Sequence, residues 1–315
     1  MNGVNWQPTA SIQALKARAC LYQQLRAFFH GRGVLEVETP ALSQAGNTDP
    51  NIASFSVNTP QGLRYLHTSP EYPMKRLLAA GSGDIYQICK VWRQDESGRR
   101  HNPEFTMLEY YRVGFSYQQL MQEVSELLQL AIPHLKLAPR ILTYRQAFLE
   151  ILAIDPHQAS VEQLAACAQQ QNIDVQGELS QQAWLDLLFT HCIEASFPTD
   201  RLTFIYHYPA TQAALARVRL EDGYWVAERF EVYLGPLELG NGYQEQTNAE
   251  QLERVLVADA ELQAQDIPVD TRFIAAVQAG MPFSAGIALG LDRILLSRLQ
   301  ATRLPSVLSF AWEIA

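Results

Sequence analysis

Apolar residues recur at steps of three and four from Ile12 through Leu15, Ala19, Tyr22, Leu25 and Phe29, which puts them on one side of an α-helix. Thr9 or Ser11 can cap that helix, and Gly31 or Gly33 can end it. Val34 to Glu38 reads as a strand stopped by Pro40, and Ser43 to Asn51 as a polar loop. Tyr65 and Leu66 lead into Ser69-Pro70-Glu71, a helix start with cap, proline and acid in favoured places, and that helix ends at Gly81. Ile85–Trp92 and Phe105–Val113 are strand-like around a charged loop, Gln94 to Pro103, which suggests an antiparallel hairpin.

From Tyr117 to Ala195 the pattern is mainly helical. Strand signals return at Leu202–Tyr208 and Tyr224–Leu239, followed by helices near Ala249–Ala264 and Thr271–Ala279. The chain then reads as strand (Ala285–Leu289), helix (Leu291–Gln300) and strand (Val307–Trp312). Strands come in adjacent pairs rather than as repeating βαβ units, so the fold class is α+β with an antiparallel sheet. With no repeat, linker or low-complexity tract, one domain over 1–315 with a helical insertion at about 134–200 is the simplest organisation.

Composition changes this picture in two ways. The chain carries 24 basic and 33 acidic residues, a net charge of −9, which disfavours a general grip on nucleic acid. The four cysteines, Cys20, Cys89, Cys167 and Cys192, form no CxxC pair, and their sparsity suits a reducing cytoplasm. Met1 to Ala10 has no apolar run, so no signal peptide is expected. The uncharged stretch Phe273–Leu291 is long enough for a membrane span, but Gly280, Pro282, Gly286 and Gly290 interrupt it, and it reads as helix end, buried strand and turn.

Three segments could carry chemistry. Alternation along the second hairpin strand puts Phe105, Met107, Glu109 and Tyr111 on one face, with Arg93 at the end of its partner. A turn at Gly235-Pro236 sets Glu231 and Glu238 on adjacent strands, as hard oxygen ligands for Mg²⁺ beside phosphates; Asn241, Tyr243 and Glu245 alternate onto one face beyond them. In Gly286-Ile-Ala288-Leu-Gly290-Leu-Asp-Arg293 a glycine ends a strand and a helix starts at once. Arg293 then opposes the helix dipole, which makes sense for a guanidinium that serves a nucleotide. Singly, each has a plainer explanation: a solvated loop, an edge hairpin with exposed acids, a surface arginine.

Together they resemble the three motifs of class II aminoacyl-tRNA synthetases, the lysyl branch above all. Arg32-Gly-Val-Leu-Glu-Val-Glu-Thr-Pro40, within Phe28 to Pro40, is similar to the first motif; Arg100-His-Asn-Pro-Glu-Phe-Thr-Met-Leu-Glu109 to the second; Gly290-Leu-Asp-Arg293 to the third. Ser69-Pro-Glu71, Leu77 and Phe204–Ala216 also fit, so the resemblance covers nearly the whole chain. The first motif begins within the first forty residues, which implies that the N-terminal anticodon-reading OB-fold of lysyl-tRNA synthetases is missing. Size and sequence together resemble the branch of lysyl-tRNA synthetase paralogues that modify elongation factor P.

The resemblance implies a synthetase-like antiparallel sheet flanked by helices, in a cytoplasmic homodimer without stable tRNA binding or membrane attachment. The activity it implies is ATP-dependent activation of (R)-β-lysine or lysine, then transfer to a lysine of elongation factor P. Arg93 is implied to hold the carboxylate and α-phosphate, Phe105 and Arg293 to sandwich adenine, and Glu231 and Glu238 to bind Mg²⁺. Arg93 and Arg293 are the implied catalytic residues. Asp95, Arg100, His101, Leu239 and Gly290 complete the ATP site. Ser69, Glu71, Glu109, Tyr111, Asn241, Tyr243, Glu245 and Ala288 line the amino-acid site, with Glu71 facing the reacting amino group and Glu109, Tyr111 and Glu245 the distal ammonium.

Two positions depart from the pattern: the usual Arg-x-Glu is Arg93-Gln-Asp95, and Ala288 replaces a glycine. The Ala288 methyl would intrude on the pocket and suits a differently placed amine, as in β-lysine. A truncated tRNA-charging enzyme and a non-catalytic regulatory paralogue are the rival readings. The first is disfavoured by acidity, the second because the ATP-site residues are kept.

Overall fold

The computed structural model describes residues 6–94, 96, 98 and 101–315. In chain order the elements are α1 (Ile12–His30), β1 (Leu35–Glu36), β2 (Leu42–Ser43), β3 (Ser56–Thr59), β4 (Gly62–Leu66), α2 (Glu71–Ala79), β5 (Ile85–Trp92), β6 (Glu104–Val113) and α3 (Tyr117–Ala131). There follow β7 (Arg140–Thr143), α4 (Tyr144–Leu152), α5 (Val161–Gln170), α6 (Gln181–Leu188), β8 (Leu202–Pro209), β9 (Val218–Glu221) and β10 (Tyr224–Leu234). The last are β11 (Leu237–Gln244), α7 (Ala249–Leu262), α8 (Thr271–Gly280), β12 (Ser284–Gly290) and α9 (Leu291–Arg298).

One sheet organises the molecule. Its strands run β1-β5-β6-β12-β11-β10-β8-β7, with β9 added to β10. All pairs are antiparallel except β1 with β5 and β7 with β8. The α+β class therefore holds. Helix α1 begins where expected: the Ser11 side chain accepts from the Ala14 N–H, and Gly31 follows its last turn. Its Leu21, Leu25, Phe28 and Phe29 are buried, and the Phe29 ring stacks on Tyr86 of β5 at 4.3 Å between centroids.

Strand alternation divides the sheet between structure and chemistry. Leu108 and Tyr110 of β6, and Ala285, Ile287 and Leu289 of β12, pack under α1, α3 and α9 in the largest apolar cluster. The alternate residues, Glu109 and Tyr111 with Gly286, Ala288 and Gly290, face the opposite side. A second cluster gathers α4, α5 and α6 around Tyr144, Phe148 and Phe189. A third joins α2, α7 and α8 through Met74, Leu256 and Phe273.

The structure differs from the sequence expectation in several elements. Val307–Trp312 is not a strand. Short 3₁₀ turns occupy Leu304–Val307 and Trp312–Ile314, while Val307, Leu308 and Ala311 bury their side chains without a ladder partner. Apolar content there signals burial, not pairing. The strand expected at Val34–Glu38 shrinks to Leu35–Glu36. A small sheet, β2-β4-β3, falls in a stretch whose mostly exposed residues carry little apolar pattern. Strand β7 interrupts the stretch read as helical. Ser69, expected to cap α2, accepts the Glu71 N–H at 3.0 Å, but Pro70 holds the N-cap position. Phe273–Leu291 resolves into the end of α8, strand β12 and the turn into α9. Among the described residues, no helix is long and apolar enough to cross a membrane.

Candidate active site

Above the site face of the sheet lies a cavity of about 490 Å³. Its floor is β6, β12 and β11; α2 closes one end and the first turn of α9 the other. Ser69, Glu71, Arg93, His101, Phe105, Glu109, Tyr111, Glu238, Leu239, Asn241, Tyr243, Glu245, Ala288, Gly290 and Arg293 all line it. Residues far apart in sequence are thus brought together. Asp95 and Arg100 lie outside the described residues.

One end is built from carboxylates. Glu109, 2% exposed, accepts hydrogen bonds from Tyr111 Oη at 2.5 Å and Ser69 Oγ at 2.6 Å. Burial, and then the charge of Glu71, push its carboxyl up to about 7. Glu245, 1% exposed, is pushed up to about 8 by burial against the pull of Lys75. Among the described residues, Glu245 Oε1 accepts no hydrogen bond. Tyr243 Oη donates to Glu71 Oε1 at 3.0 Å. Gly286 lets the Tyr111 ring and Glu245 close onto the strand: a Cβ there would sit 2.4 Å from the ring and 2.6 Å from Glu245 Oε1, closer than real Cβ contacts come. A bare buried carboxylate oxygen on a residue that lines the cavity is a site for a cation.

Sequence reasoning missed the cation already there. Lys75, 2% exposed, places Nζ 2.5 Å from Glu71 Oε1 and 2.6 Å from Glu245 Oε2. Burial alone would lower its pKa, but Glu245 and Glu71 outweigh burial and raise it. The sequence held half of this arrangement: Lys75 stands four residues after Glu71, one helical turn on, whereas its contact with Glu245 is made only by the fold.

The other end is cationic and aromatic. The Arg93 guanidinium lies 5.1 Å from the Phe105 ring centroid. Arg293 Nη1 donates to the Glu238 backbone oxygen at 2.8 Å and approaches Oε2 at 3.4 Å, while Nη2 is 2.9 Å from His101 Nε2. These contacts hold a guanidinium where the start of α9 would otherwise repel it.

Glu231 and Glu238 sit on adjacent strands as expected, joined through a turn in which Gly235 has φ +55°. Their access differs. Glu238 faces the cavity, its side chain 40% exposed; the loss of water around the part set in the cleft wall, and the Glu231 charge behind it, raise its pKa. Glu231 does not line the cavity. Its Oε2 accepts from Tyr208 at 2.6 Å and from Tyr233, and its Oε1 lies 2.5 Å from Arg229 Nη2. The two strands are neighbours, but only Glu238 opens to the cavity. Glu238, a hard open carboxylate, fits a magnesium ion whose shell phosphate oxygens complete; the oxygens of Glu231 are already held. Among the described residues no cluster of three or more His, Cys, Asp or Glu could hold a metal by itself. Arg229, also missed, lies two residues from Glu231 on the same strand, donates from Nε to Asn241 Oδ1 at 3.1 Å and lines the cavity.

The cavity therefore pairs an end that takes positive charge with an end that takes anions and a flat ring. Residues 4–313 match the family model described as tRNA synthetases class II (D, K and N). The chain is 43% identical to an elongation factor P–(R)-beta-lysine ligase of Haemophilus ducreyi, over 99% of this chain and 98% of that protein. It is 44% identical to proteins of the same name from Histophilus somni, covering 98% of each chain, and Pectobacterium carotovorum, covering 99% of this chain and 98% of that one.

Proposed function

The chain belongs to the family of class II (D, K and N) tRNA synthetases, and from that membership we propose that it is an ATP-dependent ligase that activates (R)-β-lysine or lysine and transfers it to a lysine side chain of elongation factor P. The names of its relatives support the acceptor and the amino acid. The observation on this chain that carries the reading is the carboxylate-walled end around Glu109 and Glu245, where a buried oxygen accepts no hydrogen bond among the described residues. A neutral amino acid would leave those carboxyls unpaired.

In the first step a substrate carboxylate oxygen bonds to the α-phosphorus of ATP. The bond to the bridging oxygen breaks and pyrophosphate leaves, giving an aminoacyl-adenylate. In the second, the acceptor amine attacks the acyl carbon; the bond to AMP breaks, an amide forms and the amine loses a proton to solvent. The chain contributes positioning and charge neutralisation. Arg93 bridges carboxylate and α-phosphate, and Phe105 and Arg293 enclose adenine. Glu238 would hold Mg²⁺ with the phosphates, and Glu231 adds charge from behind it. When bound, the ion neutralises phosphate charge. Asp95, Arg100, His101, Leu239 and Gly290 complete the nucleotide site. Glu71 takes the reacting end's amine, while Glu109, Tyr111 and Glu245 take the distal ammonium, with Asn241 and Tyr243 beside them.

Two further parts of the reading concern assembly. The exposed apolar residues Leu35, Leu42, Val57 and Leu63 near the first motif support a homodimer. The net charge of −9 supports weak tRNA binding in a cytoplasmic enzyme. ATP–pyrophosphate exchange tests activation. Exchange is expected with (R)-β-lysine and lysine and absent with norleucine, which lacks the distal amine; exchange with norleucine at the same rate would contradict the assignment of that end.

A further inference from the structure

We propose that Lys75 is a positioning residue that sets the charge of the amino-acid end, a resident ammonium that satisfies Glu71 and Glu245 and leaves a surplus of two negative charges for the two ammonium groups of a diamino acid. This inference rests on the reading that this end takes a diamino acid.

Three carboxyl groups meet there, on Glu71, Glu109 and Glu245, and Lys75 is bonded to the first and last at 2.5 and 2.6 Å. Glu109 is held by the neutral donors Ser69 and Tyr111. One ammonium against three carboxylates leaves two charges, which the substrate's two ammonium groups neutralise while its carboxylate lies at the arginine end. The ammonium of Lys75 is fixed: it lies 5.2 Å from the Tyr243 ring centroid and 5.8 Å from that of Phe273. It cannot move out to solvent, and it acts on substrate only through the carboxylates it holds.

Removing it has a consequence that loss of packing does not share. A buried carboxylate without its cation takes up a proton, and a diamino acid must then expel that proton to bind. The groups facing Lys75 are Glu71 and Tyr72 from its own helix, Glu109 from β6, and Tyr243 and Glu245 from β11 and its end; α8 contributes apolar Phe273. The titration that loss of the ammonium moves upward therefore belongs to Glu245, which burial already raises to about 8.

The test is ATP–pyrophosphate exchange with (R)-β-lysine varied from pH 6 to 9, in wild type, Lys75→Met, Lys75→Arg and Lys75→Ala, with melting temperature recorded for each. Lys75→Met, which keeps volume and drops charge, is expected to raise KM by roughly tenfold or more with a smaller change in kcat. Its log KM plotted against pH levels off at a higher pH than in wild type, and Lys75→Arg keeps the wild-type shape. Lys75→Ala is expected to recover with n-propylammonium and not with n-propanol. A Lys75→Met profile parallel to wild type, or equal rescue by the alcohol, would overturn the proposal and reduce Lys75 to packing. If Lys75→Ala does not fold, the pH profiles of the Met and Arg variants decide alone. Absence of exchange by the wild type with any diamino acid would instead overturn the underlying reading, and this inference with it.

Discussion

Glu109 faces the cavity with both oxygens on neutral donors and its carboxyl raised to about 7. On the proposed function it must be ionised to hold the distal ammonium. Glu109→Gln keeps the shape and removes the charge; breaking a buried charge pair costs about 3–5 kcal/mol, so kcat/KM for a diamino acid should fall by roughly 10²–10⁴-fold. Circular dichroism should show the fold intact, and unchanged exchange by a folded variant would contradict the role. The pH dependence has a definite sign. Glu109 and Glu245 carry raised pKa values of about 7 and about 8, so the empty pocket holds protons that an ammonium displaces. KM for the diamino acid should fall as pH rises from 6 through 8, and substrate binding should release protons measurable in buffers of different ionisation enthalpy. Ala288 stands opposite Glu109 in the ladder and lines the cavity. Ala288→Gly should improve use of α-lysine relative to β-lysine; an unchanged ratio would remove Ala288 from isomer selection.

Most of these side chains were legible because strand alternation assigns a face from sequence alone, as it does for Phe105, Glu109 and Tyr111. Lys75 and Arg229 were not. A buried cation between carboxylates looks in sequence like any helix-surface lysine or strand arginine. Only the meeting of α2 with the end of β11 shows that Lys75 neutralises Glu245, and only the burial of β10 shows that the pair of Arg229 with Glu231 is not a surface one.

Strand β12 shows how an element makes room for chemistry. Its large residues, Ile287 and Leu289, fill the core, and its small ones, Gly286, Ala288 and Gly290, face the cavity. Gly286→Ala should therefore leave the protein folded or mildly strained but abolish exchange, because the methyl displaces Tyr111 and Glu245; near-normal activity would show that their close packing on the strand is not needed. On the core face, Phe29→Ala should cost about 3–5 kcal/mol of stability, read as a lower melting temperature. Long periodic or alternating elements such as α1, β5, β6 and β12 were readable in sequence. The short strands β2, β3 and β7 were not, because two to four residues carry too little pattern. The chain's end misled in the other direction: Val307 and Leu308 are apolar because they are buried against the core, with no strand beside them.

The molecule as a whole is acidic, with a net charge of −9, yet its cavity separates charge along its length, carboxylates at the α2 end and Arg93 with Arg293 at the other. That polarity suits a substrate with ammonium groups at one end joined through its carboxylate to a nucleotide at the other. The assembly proposed from the exposed apolar residues near the first motif predicts a dimer mass by sedimentation equilibrium; a monomer throughout the working concentration range would contradict it. The central claim is the transfer itself. The direct measurement is the intact mass of elongation factor P after incubation with this protein, ATP, Mg²⁺ and either (R)-β-lysine or α-lysine. A gain of one lysyl unit, faster with the β isomer, is the predicted result. No gain with either isomer, while ATP–pyrophosphate exchange proceeds, would contradict the assigned acceptor.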